Sequence, residues 1–299
     1  MHIVTLRGFT IGLGLFSTLA ACGACAMGIS FGQIGFRDAG LKIPIVDPEG
    51  RSWMLQGHLC LPDGVYKPHV VVINHGSPAR SSDRPSMHLA DCRSEAVQWF
   101  LQRHYAVAQL FRLGYGATGG PWTEGYGKCK DADYYQAGME TARQIDVMVI
   151  ALGTLPEINP DGIIVVGQSA GGWGVLAYDS MPHPHVAAFI DMAGGRGGHL
   201  HNQPNNNCHS DRLVDAATRF GKTATTPLLW IATKNDSFFN PSLATAMAQG
   251  FNQAGGKAEF TLADAYGDDG HHLFFGSGGS HTWGPLVEAY LKASQVGGH

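Results

Sequence analysis

The most pointed chemistry in this 299-residue chain lies in Gly167-Gln168-Ser169-Ala170-Gly171. The stretch follows directly on the apolar run Ile163-Ile164-Val165-Val166 and leads directly into a helical pattern. A chain that turns from strand to helix in so few residues strains the backbone at the central serine. It also brings strand and helix so close that the positions two before and two after that serine must lack bulk, which Gly167 and Gly171 satisfy. The Ser169 hydroxyl would then project above the sheet, with the first N–H groups of the helix aimed toward it. A serine hydroxyl is a weak nucleophile until a base takes its proton, so a histidine is needed. His271 and His272, in Asp268-Asp269-Gly270-His271-His272-Leu273-Phe274, come late in the chain, after the last strand-like run. Neighbours in a loop do not both face one serine; His271, which follows Asp268-Asp269-Gly270, is the first choice and His272 the alternative. A carboxylate between serine and histidine in chain order would hold the imidazole tautomer and stabilise the imidazolium. Asp236, just past the apolar run Pro227–Ala232, fits that task, with Asp191 as the substitute. Asp268 and Asp269 read as residues that shape the histidine loop, and Asp264 as a turn residue.

An oxyanion formed on attack needs two preorganised donors. The Ala170 backbone N–H is one, by the geometry of the turn. The second is assigned to the Ser77 N–H, in Asn74-His75-Gly76-Ser77, where the chain leaves a buried apolar run. His75 in that segment reads as a residue that structures the loop. The glycine-rich loop Gly114–Lys130 carries Tyr115, Trp122 and Tyr126, which are candidates for the wall of a substrate pocket; Arg80 and Arg84 are candidates for a substrate carboxylate or else solvated surface cations. The fifteen histidines include His183-Pro184-His185, His199-Leu200-His201 and Cys208-His209, spacings a metal would tolerate. The HExxH and paired CxxC patterns that mark zinc sites are lacking, so no metal site is expected.

The elements that must position these residues alternate. Leu41–Val46 and Ser52–Leu61 read as strands with no helix between them, and Val70–Asn74 as a strand buried on both faces. A helix near Arg93–Arg103, a strand at Tyr105–Phe111 and a helix from about Ala132 to Leu152 follow. In that last helix Met139, Ala142, Ile145, Val149 and Leu152 recur at spacings of three and four. Further strands are expected at Ile163–Val166, Val186–Ile190, Pro227–Ala232 and Lys257–Leu262. Helices are expected at Ala170–Asp179, Asp211–Phe220, Pro241–Ala254 and Trp283–Ala293. This grammar predicts an α/β domain over residues 35–299: a mostly parallel, doubly wound sheet opened by an antiparallel hairpin.

The assembly resembles the α/β-hydrolase superfamily and, within it, the dienelactone-hydrolase-like and serine-esterase branch. The resemblance covers residues 40 to 295. It rests on Asn74-His75-Gly76-Ser77, Gly114-Tyr115-Gly116, Gly167-Gln168-Ser169-Ala170-Gly171-Gly172, Asn235-Asp236-Ser237 and Asp269-Gly270-His271. Dienelactone hydrolases proper carry a cysteine nucleophile where this chain has Ser169, which points away from dienelactones and toward the serine esterases and related peptidases that share the fold. The resemblance implies a serine hydrolase that forms an acyl-enzyme on a small-molecule ester without a cofactor. A serine peptidase or amidase of the same fold is the main alternative, and a non-catalytic binding protein on the same scaffold is a further one. A histidine base also implies activity that falls on the acid side of neutrality.

Composition narrows the field further. With 24 acidic and 20 basic residues the net charge is −4, so no basic surplus exists for binding nucleic acid. Hydrophobic residues at 44% allow a large core, and 41 glycines announce many tight loops. Residues 1–26 read as a signal peptide: Arg7 precedes an uncharged apolar run, too short to span a bilayer as a mature helix. Two processing sites compete. Leu19-Ala20-Ala21-Cys22 fits a bacterial lipoprotein box, in which a lipidated Cys22 would attach the protein to a membrane; Ala24-Cys25-Ala26 fits cleavage for soluble export to the periplasm. Cys60, Cys92, Cys129 and Cys208 then fall in a compartment that permits disulfides. Three pairings are possible, and Cys129 with Cys208 is preferred because both loops fall at the same end of the sheet; free buried thiols are the other reading.

Overall fold

The computed structural model describes residues 34–296. The expected signal segment, with its two processing sites at Cys22 and after Ala26, lies outside the described residues. Eight strands form one sheet: β1 (Phe36–Val46), β2 (Ser52–Pro62), β3 (Val70–Asn74), β4 (Ala106–Leu110), β5 (Ile163–Gln168), β6 (Val186–Met192), β7 (Leu228–Thr233) and β8 (Ala258–Ala263). Their order across the sheet is β1-β2-β4-β3-β5-β6-β7-β8. β1 pairs antiparallel with β2 and β2 antiparallel with β4, whereas the ladders from β4 through β3 to β8 are all parallel.

The parallel strands are apolar on both faces because helices cover both sides. In β3, Val70 and Val72 join one core cluster while Val71 and Ile73 join another; in β5, Ile163 and Val165 alternate with Ile164 and Val166 in the same way. The first cluster is built with α2 (Tyr134–Leu152), α3 (Ala170–Asp179), α4 (Ser210–Gly221) and α5 (Pro241–Gln253). The second is built with α1 (Glu95–Leu101) and α6 (Ser280–Ala293), where Trp99, Phe100 and Trp283 pack together. α6 starts at Ser280, three residues before the sequence pattern indicates. The Glu95 carboxylate of α1 accepts from the Gly278 and Ser280 N–H groups and so fixes the first turn.

β1 also extends five residues further toward the N-terminus than its apolar pattern suggests. It lies at the sheet edge, and Phe36 to Gly40 pair in register with Pro62 to His58 although most of them face solvent. The structure pairs Cys129 with Cys208 (Cα–Cα 5.3 Å), as the loop placement suggested, and Cys60 with Cys92 (5.7 Å). No described helix is long and apolar enough to cross a membrane.

After β3 the chain places β4 on one side of that strand, then crosses to place β5 on the other. Such a reversal opens a crevice at the C-terminal ends of the strands, where ligands collect in open α/β sheets. Asn74-His75-Gly76-Ser77 and Gln168-Ser169 leave β3 and β5 at that crevice.

Candidate active site

Ser169 sits between β5 and α3 with φ 55° and ψ −118°, a strained left-handed conformation for a residue with a side chain. The glycines around it make the turn feasible. A methyl group at Gly167 would overlap the Gly171 carbonyl, and one at Gly171 would overlap the Asn74 carbonyl. Ser169 is only 7% exposed, but its open side faces a cavity of about 520 Å³. Its hydroxyl donates to His271 Nε2 at 2.9 Å, and His271 Nδ1 lies 2.9 Å from Asp236 Oδ2. Because a carboxylate only accepts, the proton of the neutral imidazole belongs on Nδ1, which leaves Nε2 free to take one from serine.

Each partner is held from behind. Asp236 Oδ1 accepts from the Phe238 and Phe239 N–H groups at 2.7 and 2.9 Å, so both carboxylate oxygens are engaged. Asp269 Oδ1 accepts from His271 N and from Ser237 N, each at 3.0 Å, and its Oδ2 accepts from the Ser237 hydroxyl at 2.6 Å. That one side chain ties the histidine loop to the aspartate loop. Phe238 stacks on the imidazole with ring centroids 4.1 Å apart. His272, by contrast, leaves its side chain 70% exposed and 3.9 Å from Asp269. Of the two histidines, the structure brings His271 to the serine. Asp191, the substitute carboxylate, is fully buried beside Gly172 and Gly194, and burial pushes its carboxyl well above the usual range. Asp264 lies at the surface with Lys234, 2.6 Å away.

Ala170 opens α3, so its N–H is among the first four of that helix, which have no acceptor within the helix. Ala170 and Ser77 line the same cavity as Ser169. The positive end of α3 favours negative charge at this point. His75, one residue beyond β3, turns inward. Its Nε2 accepts from the Arg112 N–H at 3.2 Å and its Nδ1 donates to the Gly76 carbonyl at 2.7 Å. The ring therefore shapes the Ser77 loop. Burial, and then the Arg112 guanidinium, push this imidazole down to about 3.

That shift makes the fold sensitive to acid. Below about 6.5 the unfolded chain protonates its histidine while the folded chain does not, so stability falls with pH until about 3 is reached. Glu124, lowered to about 2 by Arg112 and Arg196, acts in the same direction below the ordinary glutamate range. The His75 contribution amounts to about 3 kcal/mol by pH 4. The urea midpoint of the native protein should therefore drop more between pH 7 and pH 4 than that of His75→Gln, which keeps an acceptor for Arg112 N; equal drops would refute the assignment.

The glycine-rich loop behaves differently from its sequence reading at one position. Trp122 and Tyr126 line the cavity, but Tyr115 does not: it is fully buried, donating its hydroxyl to Glu124 and accepting from Trp122 Nε1 at 2.9 Å. An aromatic that carries a polar tip was needed below the wall rather than in it. The tip serves a buried ion cluster that the sequence did not reveal. Arg112 and Arg196 both contact Glu124, and Arg196 also donates to Thr141 at 2.5 Å. The visible hint was a charged residue directly after each of two buried stretches, Arg112 after β4 and Arg196 after Gly194-Gly195. Arg84 lines the cavity with its guanidinium 3.5 Å above the Trp122 ring, while Arg80 pairs with Asp83 at 3.0 Å.

Of the histidines weighed for metal binding, two have other partners in the structure. His183 engages Met181 O and Thr226 Oγ1, His199 stacks on Phe238 with its Nε2 3.0 Å from Ser237 Oγ, and Cys208 is in a disulfide. Among the described residues the group with ligand spacing is His58, Cys60 and Cys92, of which both cysteines are disulfide-bonded.

No family model matches the chain, and no curated protein matches it. Solved structures do. A CIB-like hydrolase from Thermoplasma acidophilum is 13% identical with a TM-score of 0.54, over 87% of this chain and 100% of that one. A Pyrococcus furiosus esterase is 15% identical with a TM-score of 0.55, over 87% and 93%. The acylaminoacyl peptidase of Pyrococcus horikoshii is 13% identical with a TM-score of 0.59 over 86% of this chain, which spans only 42% of that protein. At such identities the shared property is architecture. Strand order, the antiparallel opening and the strand–serine–helix turn agree with it: this protein has the α/β-hydrolase fold.

Proposed function

We propose that the protein is a serine hydrolase that cleaves carboxylic esters through an acyl-enzyme. The observation that carries this reading is the continuous chain from Ser169 Oγ to His271 Nε2 and from His271 Nδ1 to Asp236, opening on a cavity. Ser169 attacks the ester carbonyl as His271 removes its proton, and Asp236 stabilises the imidazolium. The Ala170 and Ser77 N–H groups receive the oxyanion, where fixed donors act without reorganising. His271 then protonates the departing alcohol and, in the second half, activates the water that releases the acid.

Structural neighbours that are esterases support the ester reading. The acylaminoacyl peptidase among them keeps amide cleavage by the same residues as the second reading. Export, as a soluble periplasmic protein or as a lipoprotein anchored at Cys22, is part of the proposal; two disulfides among the described residues fit an oxidising compartment. A fluorophosphonate probe should label Ser169 covalently. A parallel panel of p-nitrophenyl esters and aminoacyl anilides should show turnover of the esters. Absence of labelling would sink the hydrolase reading, and turnover confined to the anilides would replace esterase by peptidase.

A further inference from the structure

The cavity over Ser169 carries more positive charge than the protein itself neutralises. Arg112 and Arg196 are 0% and 3% exposed, and both direct their guanidinium groups at a single buried carboxylate, Glu124. The nearby acid Glu140 is engaged by Arg143 at 2.8 Å. Two buried cations against one anion leave one interior charge without a counter-charge. Arg112 Nη1 and Arg196 Nε have no hydrogen-bond acceptor among the described residues. Arg196 lines the cavity together with Ser169 and Ala170. Arg84, stacked on Trp122, lines the same cavity, and its buried Nε likewise has no acceptor among the described residues. Its neighbour Arg80 differs in having its charge taken up by Asp83.

Removing a charge from water without a partner is costly, and a fold keeps such a group where a ligand supplies the opposite charge. The cavity is also polar enough for an ionic group, with Ser77, Ser81, Ser82, His201 and Asn202 at its wall. We propose that this cavity takes the carboxylate of an acidic ester, with Arg84 and Arg196 as its counter-charges. The substrate class is then a half-ester of a dicarboxylic acid or an O-acylated hydroxy acid. Arg84 selects it from the rim, where it is pre-oriented by the indole, and Arg196 from the floor, where Glu124 and Thr141 hold it. The inference rests on Ser169 as nucleophile and deepens that reading.

Two matched pairs of esters test it: monomethyl glutarate against dimethyl glutarate, and 3-acetoxypropionate against its methyl ester, with hydrolysis followed by proton NMR. The acidic member of at least one pair should be favoured in kcat/KM by about 10- to 100-fold, the range of a charge-assisted contact. The pair that responds reports whether the carboxylate rides on the acyl or the alcohol part. Arg84→Gln should cut the preference ratio by about tenfold and Arg84→Lys should restore most of it. A native protein that hydrolyses p-nitrophenyl acetate but favours the neutral member of both pairs, or turns over neither acidic ester, overturns the proposal. So does a ratio unchanged in Arg84→Gln. In those cases fluorophosphonate labelling of Ser169 would show that the nucleophile stands while the anion site falls; loss of labelling would remove both.

Discussion

Ser169→Ala is expected to lower kcat on p-nitrophenyl acetate by a factor on the order of a million, with KM little changed. The size follows from how the three residues act together: removing the nucleophile of such a unit costs about as much as removing all of it, and what is left comes from binding and the oxyanion donors. The substitution is clean. Alanine tolerates φ 55° about as serine does, and the hydroxyl's hydrogen bond is to His271, so its loss strains no other element. A circular dichroism spectrum and urea midpoint matching the native protein would show that the fold survives. Retention of normal turnover alongside an intact fold would rule out Ser169 as the attacking group.

Asp236→Asn should be nearly as severe, about 10⁴-fold in kcat. Here the outcome turns on where the amide must point. Oδ1 of Asp236 accepts from the Phe238 and Phe239 N–H groups, so asparagine keeps its oxygen there and turns its NH₂ toward His271 Nδ1. A donor at that place forces the imidazole proton onto Nε2, where it faces the serine hydroxyl as a second donor and accepts nothing. The fold should be little affected, since both backbone N–H groups keep their acceptor. The diagnostic result is a large loss in kcat with KM nearly constant. A loss below tenfold would show that the imidazole does not depend on this carboxylate for its tautomer.

Features set by neighbours along the chain are legible in the amino-acid order itself. The strand–turn–helix around Ser169 depends on a local apolar run, two glycines and a helical period, and the alternation that builds the sheet is equally local. Choosing between His271 and His272 is not a local matter: Asp269 and Phe238 orient the ring, and Phe238 arrives on a different loop. Tyr115 has the composition of a pocket wall, but its place is fixed by Glu124 nine positions on, itself fixed by Arg196 a further 72 away. Such a cluster has no spacing signature because its members meet only when the segments after β4 and β6 converge beside α2. The first five residues of β1 escape a sequence reading for the opposite reason: an edge strand facing solvent needs backbone partners and no apolar pattern.

Ser169 and His271 stand 102 positions apart. A ribosome that has delivered β5 and α3 has supplied the serine, but not the imidazole that contacts it. On the proposed mechanism, chemistry must await translation of the short turn Gly270–His272 and its docking onto the loop after β7. If the protein acts as proposed, the nascent chain is harmless to surrounding esters by the order of its own synthesis, and a product truncated ahead of residue 271 would lack its base.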